Sequence, residues 1–163
     1  MTSPRGDLRL ALADPAGGDP TDSLTLSLPQ KDSSQPKKAE ALRLRLCLIN
    51  DTDRIARYIQ VDVEVEAPFL AYPYNRSPLT IVEAGEKWRV EKASTTKFNC
   101  SFDGGANVVC HKHARRDLGM MVFLVPCGEA DGGPVTLSIR YEVTAEEHAG
   151  SGVLTVGLQS ASR

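Results

Sequence analysis

This sequence lacks long apolar runs, an apolar N-terminal segment and a strong excess of charge of either sign. No stretch of its 163 residues approaches the ~18 consecutive apolar residues of a transmembrane helix, so a helical membrane span is excluded. Residues 1–20 hold no continuous apolar segment of the signal-peptide kind, and we therefore expect a cytoplasmic protein with reduced thiols. The 19 Lys and Arg nearly balance the 21 Asp and Glu, which argues against a dedicated nucleic-acid binder because such domains are usually strongly basic.

Cysteine and catalytic motifs are scarce as well. The four cysteines are scattered and form no C-x-x-C pair, which argues against a disulfide scaffold. The sequence has no G-x-S-x-G, phosphate-binding loop, dinucleotide fingerprint or H-E-x-x-H. A Ser-His-Asp triad would leave no local motif, but all three histidines lie in or next to polar loops. We therefore predict a protein that is not an enzyme, with no catalytic residue, no cofactor and no metal.

Apolar residues recur at every second position along most of the chain. The clearest case is residues 58–67, where Ile59, Val61, Val63, Val65 and Ala67 alternate with Tyr58, Gln60, Asp62, Glu64 and Glu66. A period of two is typical of a half-buried β-strand. About ten such segments are separated by turn residues, with essentially no helix, which predicts an all-β fold with an antiparallel sandwich or barrel. We expect one domain over residues 1–163, with residues 1–40 as an N-terminal hairpin and loops packed on it.

Two segments resemble bacterial immunoglobulin-like modules. The first, LRLCLINDTDRIARYIQVDVEVEAP (residues 44–68), is similar to the family pattern N-x-G-x-x-A followed by V-x-V-x-V-x-x-P, with Thr52-Asp53 where the family has a turn glycine. The second, VTLSIRYEVTAEEHAGSGVLTV (residues 135–156), is similar to the last two strands of such modules. The resemblance covers about a third of the chain. It implies an immunoglobulin-like β-sandwich that serves as an accessory module, and it carries over no catalytic residue.

The segment CHKHARRD, residues 110–117, combines metal-binding and basic residue types. On a strand, His111 and His113 would share one face and Cys110 the other, so fewer than the about four ligands of a zinc site would converge. The cations Lys112, Arg115 and Arg116 have no aromatic residue among them to stack bases, which argues against nucleic acid. We interpret the segment as a strand end with a basic loop. The three cations are assigned to a candidate protein-binding surface.

Cys100 and Cys110 are predicted to face each other. Residues 97–102 and 107–111 have the pattern of a hairpin around Asp103-Gly104-Gly105, which would place the two thiols on its apolar side. They are interpreted as small core residues, and in an oxidising setting they would be the one sensible disulfide candidate. The sequence leaves their redox state open.

Three carboxylates, Asp62, Glu64 and Glu66, share the polar face of the clearest strand. Glycosidases use paired carboxylates, but these recur on an open face. We expect Arg43 and Arg45 on the neighbouring antiparallel strand to form ion pairs with them.

The segment FLAYPYNRSP, residues 69–78, is the most aromatic loop of the chain. Tyr72, Tyr74 and Arg76 are residue types that dominate interaction hot spots, although the simpler interpretation is that the loop caps one end of the sandwich. We predict a module that binds a protein partner or self-associates through this loop, the basic loop or a sheet edge. The alternative is a small-ligand or carbohydrate-binding sandwich in which Trp88, Tyr72 and Tyr74 stack on the ligand.

Overall fold

A computed structural model describes residues 5–14, 17–28, 39–67, 79–82, 88–92, 96–126, 128 and 130–160. These residues form eleven β-strands and one turn of 3₁₀ helix, Gly105–Asn107. The strands are β1 (Arg5–Gly6), β2 (Leu8–Leu12), β3 (Ser23–Leu28), β4 (Ala39–Asn50), β5 (Gln60–Glu66), β6 (Leu79–Val82), β7 (Trp88–Lys92), β8 (Lys97–Asp103), β9 (Ala114–Pro126), β10 (Val135–Ala145) and β11 (His148–Ser160). Within the described ranges, no helix has the length and apolar character needed to cross a membrane.

The strands divide between two sheets. The first sheet has the order β1–β11–β10–β5–β8–β7, with β3 also paired to β11, and the second has the order β2–β4–β9–β6. All pairs are antiparallel except β3 with β11. The predicted all-β sandwich of about ten strands is therefore confirmed. The strands of residues 1–40 join different sheets, since β2 pairs with β4 and β3 pairs with β11.

The main apolar core lies between the sheets and is built from the alternation seen in the sequence, and a smaller buried cluster is formed by Ala11, Cys47 and Ile49. Leu44, Leu46 and Leu48 of β4 are buried, and so are Val61 and Val65 of β5. The alternate residues of β5, which lie on its other face, are exposed or half-buried. Removing this apolar surface from water at roughly 25 cal/mol per Å² is what holds the two sheets together.

Trp88, at the start of β7, belongs to this core. Its side chain is 6% exposed, and its ring centroid lies 5.2 Å from that of Phe102. Its Nε1–H donates a 2.8 Å hydrogen bond to the carbonyl oxygen of Leu118 in the other sheet. The sequence-based assignment of Trp88 as a stacking platform for sugars is wrong, because a ring packed between two sheets presents no free face.

Replacing Trp88 by phenylalanine should lower the free energy of unfolding by about 2 kcal/mol, because the buried Leu118 carbonyl loses its donor. Urea denaturation followed by circular dichroism measures this. Arg89→Ala, an exposed neighbour on the same strand, is the control and should stay within about 0.5 kcal/mol of the parent chain. Equal stability of the two variants would contradict the assignment.

The predicted hairpin of residues 97–111 does not form. β8 pairs with β5 and β7, and after the 3₁₀ turn the chain passes to β9 in the other sheet. Cys100 therefore lies opposite Val63 of β5, whereas Cys110 forms an isolated bridge with Ala56. The Asp-Gly-Gly turn signal did not decide the pairing, because β8 lies beside β5 and buries Phe98, Cys100 and Phe102 in the core there. The predicted pairing of the two thiols is wrong, and Cys47, Cys100 and Cys110 are all free and buried.

These buried thiols should resist alkylation in the folded protein. Burial raises the pKa of Cys100 to about 12 and that of Cys110 to about 11, so neither forms the reactive thiolate near neutral pH. Iodoacetamide labelling mapped by peptide mass spectrometry should modify both cysteines in urea and neither in buffer. Labelling of either one in buffer, at the rate seen in urea, would show that the surrounding core is open.

The chain crosses from the first sheet to the second between β1 and β2. Asp7 stands at this crossing, and its carboxylate accepts a 2.9 Å hydrogen bond from the Ala149 N–H and lies 2.7 Å from Nδ1 of His148. Burial alone would raise the pKa of Asp7, but these hydrogen bonds hold it below its ordinary value. The N-terminal strand is thus fastened to the start of β11 before it enters the second sheet.

Candidate functional site

Three connections leave the sandwich at the same end: residues 51–59, 104–113 and 146–147. The strand register places them together, because Asn50 pairs with Ala114 in the second sheet, and Gln60 pairs with both Asp103 and Thr144 in the first. We call this end of the molecule the loop tip.

Asn50 joins two of the three connections. Its side chain is fully buried, and its Nδ2 donates to the carbonyl oxygens of Arg54 at 2.7 Å and Cys110 at 3.1 Å. Its Oδ1 accepts from the backbone N–H of Thr52 at 3.0 Å and from the Thr52 hydroxyl at 2.7 Å. Both donors and the acceptor oxygen of the amide are therefore used, as a buried amide requires.

Backbone pairing completes the link between these two connections. Ala56 and Cys110 exchange hydrogen bonds of 2.9 and 3.0 Å, and both side chains are buried. Because successive residues of extended chain point to opposite sides, the neighbours Ile55, Arg57 and His111 face outward. All three are exposed.

The third connection holds the other side of residues 51–59. The Glu146 N–H donates to the Arg57 carbonyl at 2.8 Å, and Glu147 lies 3.5 Å from the Arg54 guanidinium. From the 104–113 side, the Gly104 N–H donates to the Ile59 carbonyl at 2.9 Å. The long connection is thus fixed on both sides by hydrogen bonds.

Backbone strain is concentrated at the loop tip. Among the described residues, three non-glycine residues have positive φ: Tyr58 at 54°, His113 at 52° and Glu147 at 64°. One lies in each connection. The left-handed region costs an L residue about 1–2 kcal/mol, and it persists only where the surroundings enforce it. Such residues cluster at functional sites.

The exposed large apolar side chains of the described residues also lie at the loop tip. They are Ile55, 37% exposed, and Tyr58, 57% exposed. A single exposed apolar residue is ordinary. Here both lie on a strained, hydrogen-bonded surface, and tyrosine is a residue type enriched at interaction hot spots.

The charges at the loop tip are paired unevenly. Most of its acidic residues form ion pairs: Asp51 with Arg9, Asp53 with His113, and Glu147 with Arg54. The cations Arg57 and Lys112, with Arg116 just inside β9, form no ion pair in the described part of the chain. Glu146 is exposed and also forms no ion pair in this part of the chain, so the unpaired charges of the loop tip are two cations and one acid, with Arg116 as a third cation beside them.

The sequence-predicted binding residues do not all meet at one surface. Lys112 is exposed on the loop tip, and Arg116 is exposed at the beginning of β9. Arg115 is exposed but lies 3.3 Å from the carboxylate of Asp19. The predictions for Tyr72, Tyr74 and Arg76 lie outside the described residues.

Sequence reasoning missed Ile55 and Arg57, and it assigned Tyr58 only to the polar face of a strand. No motif marks these residues. The signal that could have found them is the interval between Asn50 and Ile59, which is too long for a tight turn and holds an apolar residue among charged ones.

The potential metal ligands of the loop tip lie in different surroundings. His111 is exposed, and His113 contacts Asp53 through Nε2 at 2.5 Å. Cys110 is buried, with its thiol 3.6 Å from the Ala114 carbonyl. No group of three or more His, Cys, Asp or Glu side chains gathers as metal ligands within the ranges that the structure describes.

A second surface feature lies on the outward face of the first sheet. A depression of about 340 Å³ crosses β5, β8 and β7, with Asn99 and Ser101 in its lining and Asp62, Arg89 and Glu91 beside them. We call it the groove. Its side chains are mostly short and polar over β8 and charged on the flanking strands.

The predicted ion pairs of this face with Arg43 and Arg45 are wrong. β4 lies in the second sheet, so neither arginine neighbours Asp62 or Glu64. Arg45 instead lies 2.6 Å from Asp117 on β9. The physical reason is that residues 51–59 cross between the sheets instead of making a hairpin.

No family model and no curated protein matches this sequence. Among solved structures, a chain of the cohesin–dockerin complex Coh-OlpA-Doc918 from Clostridium thermocellum is similar, with 7% identity, a TM-score of 0.48, and coverage of 94% of this chain and 99% of that one. CaCohA2 from Clostridium acetobutylicum has 10% identity and a TM-score of 0.49, covering 96% and 93%. AggA, a fimbrial subunit from Escherichia coli, has 8% identity and a TM-score of 0.43, covering 99% and 97%. Likenesses this distant do not bear on what this chain binds.

Proposed function

We propose that this chain is a non-enzymatic protein-interaction module and that the loop tip is its docking surface. The observation that carries the proposal is the coincidence of three features at one end of the sandwich. These are the exposed apolar pair Ile55 and Tyr58, a strained residue in each of three connections, and the hydrogen bonds of Asn50 that hold the surface in place.

The proposed docking surface has the usual composition of a protein interface, with apolar residues at its centre and charged residues at its rim. Ile55 and Tyr58 supply apolar contact area, and Arg57, Lys112 and Arg116 supply charge at the rim. Because hydrogen bonds already fix the connections, little conformational entropy is lost when a partner binds. In this proposal the sequence-predicted Lys112 and Arg116 remain binding residues, and the cytoplasmic location remains a prediction.

The proposal is tested with displayed protein fragments from the genome that encodes this chain, selected on the purified protein. Fragments are then titrated against Ile55→Ser/Tyr58→Ser. We expect this variant to lose about tenfold or more in affinity, because both apolar anchors are removed while the fold is kept.

The matched control is Val122→Ser/Val153→Ser, which removes two partly exposed apolar side chains far from the loop tip. It should bind the recovered fragments as the parent chain does. Fragments that bind the parent chain and Ile55→Ser/Tyr58→Ser equally well would place the docking surface elsewhere.

A further inference from the structure

We propose that the partner which the loop tip fits is a second copy of this chain, which receives the tip in its groove. This inference rests on the proposed function, since it names the partner of the same surface. It begins from the observation that the unpaired charges of the loop tip are mainly positive, whereas those that line the groove are mainly negative.

The face that holds the groove is predominantly acidic. The outward charged residues of β5, β7, β8 and β10 are the acids Asp62, Glu64, Glu66, Glu91, Asp103 and Glu142 and the cations Arg89, Lys97 and Arg140. In the described part of the chain, Asp62, Glu64 and Glu91 form no ion pair. Acids therefore outnumber cations on this face, and those nearest the groove are free to meet a partner's cations.

The positions of these acids follow from the strand register. Ser101 of β8 lies between Arg89 and Asp62, and Asn99 lies between Glu91 and Glu64. The short side chains of β8 thus run between longer, charged ones, which makes the face concave. A volume of 340 Å³ is near the lower end of those that hold ligands, so it admits protruding side chains but not a domain.

The loop tip carries exposed cations that can meet these acids. Arg57 and Tyr58 project from the end of the sandwich, and Arg57 and Lys112 have no ion pair in the described residues. Arg57 entering the groove would meet Asp62 and Glu91, and Arg89 would be the one cation lining it. Opposite charges at such a rim steer association and make it sensitive to salt.

The geometry of this contact determines the kind of assembly. The loop tip and the groove are different surfaces of one chain, so each copy that docks its tip leaves its own groove open. Such head-to-side contacts close into a ring only if the rotation that relates successive copies closes. Otherwise they form open assemblies whose size increases with protein concentration.

Sedimentation velocity of the purified chain over a wide range of concentration tests the inference. At low salt we expect the weight-average sedimentation coefficient to rise with concentration, and at high salt this rise should disappear. Two charge reversals, Arg57→Glu/Lys112→Glu on the tip and Asp62→Lys/Glu91→Lys in the groove, should each weaken association about tenfold or more.

An equal mixture of the two reversed variants should associate again, because the basic tip of one meets the acidic groove of the other. Arg43→Glu, an exposed reversal on the other sheet, should behave as the parent chain does. Circular dichroism confirms that each variant is folded.

Three results would overturn the inference: a chain that stays monomeric at low salt, association that ignores both reversals, and a mixture that fails to associate. None of these results bears on the proposed function, which is tested by whether fragment binding requires Ile55 and Tyr58. If Ile55→Ser/Tyr58→Ser loses fragment binding and the parent chain does not self-associate, the partner of the loop tip is a different protein.

Discussion

Gly150→Ala is expected to lower the free energy of unfolding by about 3 kcal/mol or more. A Cβ at this position would lie 1.7 Å from the carbonyl oxygen of Leu8, which is fixed backbone and cannot rotate away. The N-terminal strand would have to shift from β11. Leu8, Leu10 and Leu12 are fully buried, so the shift would expose apolar surface worth roughly 1.5–3 kcal/mol for each side chain.

The control for this variant is Gly157→Ala on the same strand. There the nearest atom to an added Cβ is the Thr25 hydroxyl oxygen at 3.7 Å, an ordinary contact. Its effect should stay within about 1 kcal/mol. Both are measured by urea denaturation followed by circular dichroism. If the two alanine variants were equally stable, the crossing of the N-terminal strand between the sheets would be wrong.

Asn50→Asp is expected to cost about 3–5 kcal/mol at neutral pH. The change keeps the acceptor for Thr52 but removes both donors, and it places a buried carboxylate oxygen against the carbonyl oxygens of Arg54 and Cys110. The cost should shrink at low pH, because a carboxyl group in this position has a raised pKa and donates a hydrogen bond once it is protonated.

Thr52→Val provides the comparison for Asn50→Asp. It removes the hydroxyl that donates to Asn50 and accepts from the Arg54 N–H at 3.2 Å, in a position that is only half-buried. A loss of about 1 kcal/mol is expected, with no dependence on pH. Unfolding curves at neutral and acidic pH measure both variants. Equal costs for the two would mean that Asn50 does not hold the connections together.

The fold class was predictable because burial on one face leaves a period of two in the sequence. Val61, Val63 and Val65 in β5 and Leu44, Leu46 and Leu48 in β4 all lie in the core, as their alternation indicates. This pattern is local to each strand, so it can be recognised without knowing which strands lie beside it.

Strand pairing was not predictable from the same signal. The Asp103-Gly104-Gly105 turn favoured a hairpin, yet β8 pairs with β5 and the chain goes on to the other sheet. β4 and β5 are consecutive but also lie in different sheets. Partner choice depends on how much apolar surface each arrangement buries, which is a property of the whole sandwich and not of a turn.

The candidate site was predictable in part. Lys112 and Arg116 were predicted because charge clusters are visible in a sequence; both are exposed, and their role in binding stays a prediction. Ile55 and Tyr58 were not, because exposure of an apolar residue is decided by where Ala56 and Cys110 pair. The role of Asn50 was also hidden, since its four hydrogen bonds reach residues up to 60 positions away.

Hydrogen–deuterium exchange of the chain with and without a recovered fragment tests the central claim most directly. The account predicts that bound fragment slows exchange about tenfold or more in peptides covering residues 51–59 and 108–113, while β11 exchanges as before. Protection confined to another surface, with the loop tip unchanged, would contradict it.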